Sequence, residues 1–192
     1  MEKEKGHIFV VSAPSGAGKT TIVKNILKDI PELAFSISAT TRKKRDNETD
    51  GVDYHFLTEK VFLSKIEQNE FVEWEKFYDY YYGTGKGFID ENVKKGFSVL
   101  LEVDVNGALS IKAIYPEAIL VYIYPPSFEV LVERLKNRKT EDEIDFKKRV
   151  ERAKMELSKK DKFDYLVVNN DLNTAISEVK SLIKKIISKE NE

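Results

Sequence analysis

Apolar residues follow two kinds of spacing along the chain. Four short apolar runs, at 8–11, 99–103, 119–123 and 165–168, have the length of buried strands. Elsewhere apolar residues recur every three or four positions, as in helices: Ile22, Val23, Ile26, Leu27 and Ile30 before Pro31, then Ile176, Val179, Leu182, Ile183, Ile186 and Ile187. Strands that alternate with helices predict an α/β fold, with a parallel sheet flanked by helices.

Two stretches depart from this alternation. Residues 38–90 are rich in aromatic residues and hold only short strand-like and helical pieces, whereas residues 134–160 form a dense run of charges. No linker rich in proline, glycine or serine divides the chain, and no internal repeat is present. We therefore expect one domain, with its core at 1–37, 96–133 and 160–192 and with two insertions.

Composition narrows the classes of function. The 192 residues include 32 Lys plus Arg and 33 Asp plus Glu; the resulting net charge of −1 argues against general nucleic-acid binding. The chain has no cysteine, which excludes disulfides, thiolate metal sites and thiol nucleophiles and fits a reducing cytoplasm. No apolar run is long enough to span a membrane. Apolar stripes that face a core or a second copy look alike in sequence, so monomer and homo-oligomer both stay open.

The segment after the first strand carries a phosphate-binding motif. Residues 12–20 read SAPSGAGKT, the Walker A pattern in its strand–loop–helix setting, with Ala13 in place of the first glycine. Alanine fits there if its φ is negative. Lys19 would reach the β- and γ-phosphates of ATP, and the Thr20 hydroxyl would bind Mg²⁺. The residues expected to contact ATP here are Ala13, Pro14, Ser15, Gly16, Ala17, Gly18, Lys19, Thr20 and Thr21.

Asp104 closes the second apolar run and fits a further role in such a site. A carboxylate at the end of a buried strand binds Mg²⁺ in many P-loop proteins, directly or through water. The polar residues that follow Asp104 allow another interpretation, in which it caps a helix.

Further motifs occur in a fixed order along the chain. They are 36–45 (SISATTRKKR), 50–56 (DGVDYHF), 71–74 (FVEW), 81–84 (YYGT), 102–107 (EVDVNG), 125–127 (PPS), the arginine-containing stretch 134–149 and 167–171 (VVNND). Together with the Walker A segment they resemble the guanylate kinase family over nearly the whole chain. The resemblance implies a P-loop enzyme that transfers the γ-phosphoryl group of ATP to GMP, or to dGMP, with Mg²⁺. It also implies that 38–90 form a GMP-binding insert and that 134–159 form a lid.

The resemblance further implies an acceptor site. Arg42 and Arg45 would hold the phosphate of GMP, and the hydroxyls of Tyr54 and Tyr82 would donate to it. Glu73 would accept hydrogen bonds from N1–H and the N2 amino group of guanine, whereas adenine presents an acceptor at N1. The other implied contacts are Ser38 and Thr84 near O6 and N7, Asp104, and Glu102 as a contact of either guanine or the metal shell.

The lid and the ATP side complete the implied site. Arg134, Arg138 and Arg149 would close over the phosphates, while Arg152 matches the family pattern less clearly. No catalytic base is required, because the second pKa of a phosphate monoester is about 6 and its oxygens are already nucleophilic. Asn169 would approach the adenine or ribose, although an asparagine in this position also suits ordinary turn chemistry.

Two other functions stay open at this point. A non-catalytic binding module of the same fold would have a damaged phosphate loop and no lid arginines, whereas this chain keeps both. A P-loop kinase for another nucleotide or a nucleoside is the second alternative. Arg42, Arg45 and Glu73 favour an acceptor that carries a phosphate and a guanine.

Overall fold

The chain folds into a five-stranded parallel sheet with helices on both faces and a separate four-stranded sheet. The computed structural model describes residues 5–77, 79–137 and 143–188, with the backbone alone at 143–145. The strands are β1 Ile8–Ser12, β2 Ala34–Ser36, β3 Ala39–Thr40, β4 His55–Phe56, β5 Phe71–Phe77, β6 Tyr80–Gly85, β7 Val99–Glu102, β8 Ile119–Tyr124 and β9 Tyr165–Val168. The helices are α1 Lys19–Asp29, α2 Glu59–Glu67, α3 Lys86–Lys94, α4 Val105–Ile114, α5 Phe128–Lys136, α6 Glu143–Leu157 and α7 Leu172–Ser188.

The large sheet has the strand order β2-β7-β1-β8-β9, with every neighbouring pair parallel. Successive residues of β1 face opposite sides: Phe9 and Val11 pack in a cluster with α1, α5 and α7, whereas Ile8 and Val10 pack in a cluster with α3 and α4. Both faces of the sheet are therefore buried, which explains why its strands are short continuous apolar runs. The prediction of an α/β fold is confirmed, and β2 is a strand that the apolar pattern had not indicated.

The register of the sheet places the ends of β1 and β7 side by side, next to the middle of β8. Val11 lies opposite Glu102 of β7 and Val121 of β8. Because parallel strands share one carboxyl edge, the segments that follow β1 and β7 emerge next to each other. This edge carries the phosphate-binding motif.

Residues 39–85 form the small sheet, in the order β4-β3-β6-β5, together with α2. Phe62 of α2 stacks on Phe71 at 4.4 Å and on Tyr81 at 5.5 Å between ring centroids. Val72 of β5 joins the core cluster that contains Val105 of α4, so the small sheet is anchored on the helix that follows β7. These residues lie within the predicted insert 38–90, whose boundaries stay a prediction.

The charged run contains the end of α5 and the whole of α6. Ala153 of α6 is fully buried in the main core cluster, and Phe146, Val150 and Leu157 pack against that cluster. Arg138 lies outside the described residues, so its predicted place in the lid stays a prediction. Across the described part of the chain, no helix has the length and apolar character needed to cross a membrane.

Candidate active site

The phosphate-binding motif forms a tight loop between β1 and α1. Gly16 and Gly18 have φ angles of 88° and 94°, in the left-handed region that favours glycine. A side chain at Gly18 would also collide with the Asn169 amide, since Nδ2 lies 2.5 Å from the ideal Cβ position. Among the described residues the only non-glycine residue with a positive φ is Asn69, so Ala13 has the negative φ that its replacement of glycine requires.

Lys19 and Thr20 begin α1 and both reach the end of β7. The Lys19 ammonium donates to the carbonyl oxygen of Val103 at 2.8 Å and lies 3.8 Å from Oε1 of Glu102. The Thr20 hydroxyl donates to the same Oε1 at 2.5 Å. Glu102 is thus one carboxylate that the structure brings to the phosphate loop; Asp104 and Glu156 line the same cavity. Thr21 follows on α1 and lines the same cavity as the loop.

Asp104 has a different set of partners. It is the N-cap of α4, where Oδ1 accepts from the Gly107 N–H at 2.6 Å. Its Oδ2 accepts a hydrogen bond from Nη2 of Arg152. The capping role weighed for Asp104 in the sequence is therefore present, and its predicted roles toward Mg²⁺ and guanine stay predictions.

Two cavities meet beside the loop. One, of about 340 Å³, is lined by the phosphate loop together with Arg149 and Arg152 of α6. The other, of about 820 Å³, lies between α1 and the small sheet and is lined by five predicted acceptor-site residues: Arg42, Arg45, Tyr54, Tyr82 and Glu102. Thr20, Tyr54 and Glu102 line both cavities. A donor phosphate on the loop and an acceptor phosphate near the arginines would therefore face each other across these three side chains.

Arg42 is held by a carboxylate that the motif analysis had not singled out. Its two guanidinium nitrogens donate to Glu48 at 2.7 and 3.0 Å, and the backbone N–H of Arg45 donates to the same carboxylate at 2.8 Å. The hydrogen bonds from Arg42 hold the pKa of Glu48 below its ordinary value. The guanidinium carbon of Arg42 also lies 5.6 Å from the ring centroid of Tyr54, whose own pKa is raised to about 12 by burial.

Glu73 is a buried carboxylate in the small sheet. The hydroxyl of Thr84, on the neighbouring strand β6, donates to its Oε1 at 2.5 Å. Burial raises the pKa of Glu73 to about 7; the hydrogen bond from Thr84 opposes this shift, and the charge of Asp104 adds to it. The other oxygen, Oε2, lies 2.8 Å from the ideal Cβ position of Gly107, so a side chain at that position would make the Glu73 carboxylate shift. Thr84 and Glu73 thus lie in contact, and their predicted roles toward guanine stay predictions.

The predicted residues Asn169, Arg134 and Ser38 line neither of these cavities. Asn169 directs its amide at the loop, where Nδ2 donates to the carbonyl oxygen of Ala17 at 2.7 Å. Nη2 of Arg134 donates to the Asn169 carbonyl oxygen at 3.0 Å, which ties α5 to the segment after β9. Ser38 precedes β3, and its carbonyl oxygen accepts from the His55 N–H at 2.9 Å. None of these contacts tests the predicted roles toward nucleotide.

Three further charged residues belong to the site: Arg152, which matches the family pattern less clearly, and Glu75 and Glu156, for which the motifs indicated no role. Arg152 donates to Glu75 at 2.8 Å and to Glu156 at 2.9 Å, besides Asp104. Two sequence signals could have found them. Arg152 and Glu156 are four apart on a helix, and Glu75 is two residues after Glu73 on a strand, which places each pair on one face.

A phosphate-binding loop at the carboxyl edge of a parallel sheet, beside a cavity lined by arginines, is typical of a P-loop phosphotransferase. The family model for guanylate kinase matches residues 5–186. The chain therefore belongs to the guanylate kinase family and is a kinase.

Individual relatives agree with this assignment. A guanylate kinase of Thermotoga maritima is 46% identical over 180 residues, covering 94% of this chain and 87% of the relative. One of Chlorobium chlorochromatii is 47% identical over 183 residues, covering 95% and 96%. The crystal structure of a guanylate kinase from Anaplasma phagocytophilum superposes with a TM-score of 0.76 at 30% identity, covering 99% of this chain and 88% of that one.

Proposed function

We propose that this protein transfers the γ-phosphoryl group of ATP to GMP, giving ADP and GDP. The observation that carries the proposal is the junction of the two cavities at Thr20, Tyr54 and Glu102. The phosphate loop lines one side of this junction and the two arginines of the acceptor cavity line the other. Two phosphates held in this way are oriented toward each other, and orientation with charge neutralisation is most of what phosphoryl transfer requires.

Guanine would be recognised by Glu73. An ionised carboxylate only accepts hydrogen bonds, and guanine offers two adjacent donors at N1 and N2. Thr84 on β6 already donates to one oxygen of this carboxylate. Ser38 lies directly before β3, the strand that pairs with β6 on its other side. Adenine would place an acceptor against the buried charge and leave it unpaired, which is strongly unfavourable. dGMP carries the same base and is accepted at this position as well.

The acceptor phosphate would be bound by four side chains: Arg42, Arg45, Tyr54 and Tyr82. Arg42 has planar N–H groups that can bind two oxygens at once. Glu48 accepts from those groups and so orients the guanidinium toward the cavity side of the small sheet, where a phosphate would bind.

The residues beside the loop suit magnesium. The Thr20 hydroxyl and the Glu102 carboxylate are oxygen ligands that already lie in contact, and Mg²⁺ binds through one or two such groups together with substrate phosphates and water. We assign both to the ion, with Asp104 reaching it through water. When bound, the ion neutralises charge on the β- and γ-phosphates. Lys19 of α1 and the arginines Arg134, Arg138 and Arg149 supply the rest of the positive charge.

A coupled assay of ADP release tests this function. ATP with Mg²⁺ is offered together with GMP, AMP, CMP or UMP, and Lys19→Ala serves as the control. We expect turnover with GMP alone, reduced about 100-fold or more in the variant because a cation on the transferring group is lost. Turnover with another nucleotide would assign a different acceptor. Folded protein that binds GMP in calorimetry without any turnover would be a binding module.

The compartment follows from the substrates and composition. ATP and GMP are metabolites of the cytoplasm, and a chain without cysteine needs no oxidising environment. We therefore place the activity in the cytoplasm.

A further inference from the structure

A further cavity, of about 380 Å³, lies between the large sheet and the small sheet and is called here the inter-sheet cavity. Most of its wall is apolar and comes from both sheets, from α3 and from the segments that join them: Phe35, Ile37, Leu57, Phe71 and Phe88. Three of these five side chains are phenyl rings. Apolar and aromatic walls around a volume of this size are typical of a site for a small molecule.

The charged groups of the inter-sheet cavity suit a neutral ligand. Lys65, in the last turn of α2, donates to the carboxylate of Glu70 at 2.5 Å, so the two charges balance each other. Their side chains are 36% and 43% exposed, which places this pair on the solvent side of the cavity. A charged ligand would have to lose its hydration among the phenyl rings, which is strongly unfavourable. A flat aromatic ring with one N–H group could instead pack on the rings and donate to Glu70.

Strands β5 and β6 belong both to this cavity and to the residues assigned to guanine. In their pairing, Glu73 lies opposite Thr84, and Phe71 lies opposite Gly85. Thr84 donates to Glu73, whereas Phe71 and Gly85 line the inter-sheet cavity. Neighbouring residues of a strand face opposite sides, so Thr84 faces Glu73 while the next position faces the cavity. The cavity therefore lies directly behind two of the predicted guanine contacts.

The crossing from the large sheet to the small sheet has the same arrangement. Ser38, which is assigned to guanine, stands between Ile37 and Ala39, and both of these residues line the inter-sheet cavity. Phe35 of β2 lines the inter-sheet cavity and also the cavity that contains the acceptor arginines. A molecule packed against these side chains would restrict the segments that carry the guanine contacts.

We propose that the inter-sheet cavity is a second ligand site, which takes a small neutral aromatic molecule of about the size of indole and, when occupied, strengthens the binding of GMP. The effect on GMP rests on the proposed function, whereas the binding of the aromatic molecule does not. A ligand that holds β5, β6 and Ser38 in place leaves less ordering for GMP to bring about, and lower ordering cost means higher affinity. The coupling is reciprocal, so GMP strengthens the binding of the aromatic molecule by the same factor.

Fluorine NMR with fluoroindole as the probe tests the site. We expect saturable broadening of the probe signal, reversed by unlabelled indole, with a dissociation constant of about 1 mM or below for a ligand of this size.

Gly85→Leu should block the site. The φ of Gly85 is −69°, and an added Cβ there meets no atom within 4 Å, so the backbone accepts a side chain that would occupy part of the cavity. We expect the affinity for fluoroindole to fall by about tenfold or more, because the leucine competes for the same space. Gly87→Leu is the matched control: it adds the same side chain on α3, at a position that also has open space and does not line the cavity.

Phe88→Ala tests the site in the opposite way, by removing part of its wall. Phe88 is 41% exposed, so its loss should change stability little. We expect the dissociation constant of fluoroindole to rise about fivefold, since the probe loses apolar contact. Phe97→Ala, at 47% exposure and outside the cavity wall, is the control. Equal affinity in the unmodified protein, Gly85→Leu and Phe88→Ala would overturn the site, and so would binding that does not saturate.

Calorimetry with GMP measures the coupling without turnover. Saturating indole should lower the dissociation constant of GMP about fivefold, and saturating GMP should lower that of fluoroindole by the same factor. In Gly85→Leu, indole should leave the affinity for GMP unchanged. GMP affinity in the unmodified protein that is unchanged or weakened by saturating indole would overturn the coupling.

The two proposals fail differently. Protein that binds fluoroindole, loses it in Gly85→Leu and neither binds nor phosphorylates GMP would overturn the proposed function and leave the second site standing. Protein with normal GMP turnover and no saturable binding of fluoroindole would overturn the second site alone.

Discussion

The hydroxyl of Thr20 donates a 2.5 Å hydrogen bond to the carboxylate of Glu102, 82 residues away in the chain. The bond joins the first turn of α1 to the last residue of β7. Lys19 lies 3.8 Å from the same oxygen, so a cation, a hydroxyl and a carboxylate converge where the phosphate loop ends. This relationship distinguishes Glu102 from Asp104, whose two oxygens are bonded to Gly107 and Arg152.

Glu102→Gln should weaken the binding of Mg²⁺ at the phosphate loop. The amide keeps the size of the side chain and can still accept from Thr20, but it lacks the charge that attracts the ion. Loss of a group that orients or binds a metal costs roughly 10- to 100-fold in affinity or activity. We expect the Mg²⁺ concentration for half-maximal rate to rise by about that factor, measured by titrating Mg²⁺ at fixed ATP and GMP. Glu102→Asp keeps the charge and should lose less; equal losses in both variants would argue against a role in metal binding.

GMP binding should strengthen as pH rises through about 7. Burial raises the pKa of Glu73 to about 7, and only the ionised carboxylate accepts from both guanine donors. At pH 6 about one carboxylate in eleven is ionised, so the KM for GMP should be about tenfold higher than above pH 8. The phosphate of GMP titrates near pH 6 too, which makes Glu73→Gln the necessary control. A KM that varies with pH in the same way in that variant would exclude Glu73 as the cause.

The buried carboxylate of Glu73 should also lower the free energy of unfolding at high pH. The pKa of Glu73 is raised above its ordinary value of 4.5 in the folded state, so the folded state binds the proton more tightly than the unfolded state. The resulting destabilisation is absent below about pH 4.5, grows as pH rises and is complete above about pH 7. Glu73→Gln should therefore raise the free energy of unfolding at pH 8 by up to about 3 kcal/mol, and by less than about 1 kcal/mol at pH 5. Urea denaturation at the two pH values measures the difference, and a gain independent of pH would contradict the shifted pKa.

Gly107→Ala should impair GMP binding without unfolding the protein. An added Cβ would lie 2.8 Å from Oε2 of Glu73 and 3.1 Å from Oδ1 of Asp104, so the Glu73 carboxylate must move. We expect the KM for GMP to rise about tenfold, since a small misplacement of a positioning group has a large effect on binding and rate. The KM for ATP should stay within about twofold.

Gly87→Ala is the matched control for this variant. Gly87 also lies in a helix, α3, and an added Cβ there meets no atom within 4 Å. It should raise stability by about 0.5–1 kcal/mol through helix propensity and leave both KM values unchanged. A rise in the KM for GMP in both variants would point to a general effect of alanine in place of glycine.

The longer strands and helices and the phosphate loop could be predicted from the sequence. Apolar spacing predicted β1, β7, β8, β9, α1 and α7 and the α/β fold, because a strand or helix that faces a core must carry apolar residues at its own period. The phosphate loop could also be predicted from the sequence, because its motif is local. Gly16 and Gly18 take left-handed conformations, which favour glycine. Strand β2 of the large sheet and strands β3 and β4 of the small sheet are only two or three residues long, so they carry no periodic signal that could place them.

Only the tertiary structure decided which side chains meet at the site. Glu102 and Asp104 stand two residues apart at the same strand end, and the sequence treated both as candidates for metal and guanine. The parallel register of β7 beside β1 turned Glu102 toward Thr20, and the start of α4 took Asp104 as its cap. Likewise, the sequence alone does not distinguish Arg152 from the other charged residues of its segment. The packing of α6 on the core brings Nη2 of Arg152 to 2.8 Å from Oε1 of Glu75. Spacing along a chain determines what one element can do alone, whereas hydrogen bonds between residues 77 or 82 apart depend on how the elements pack.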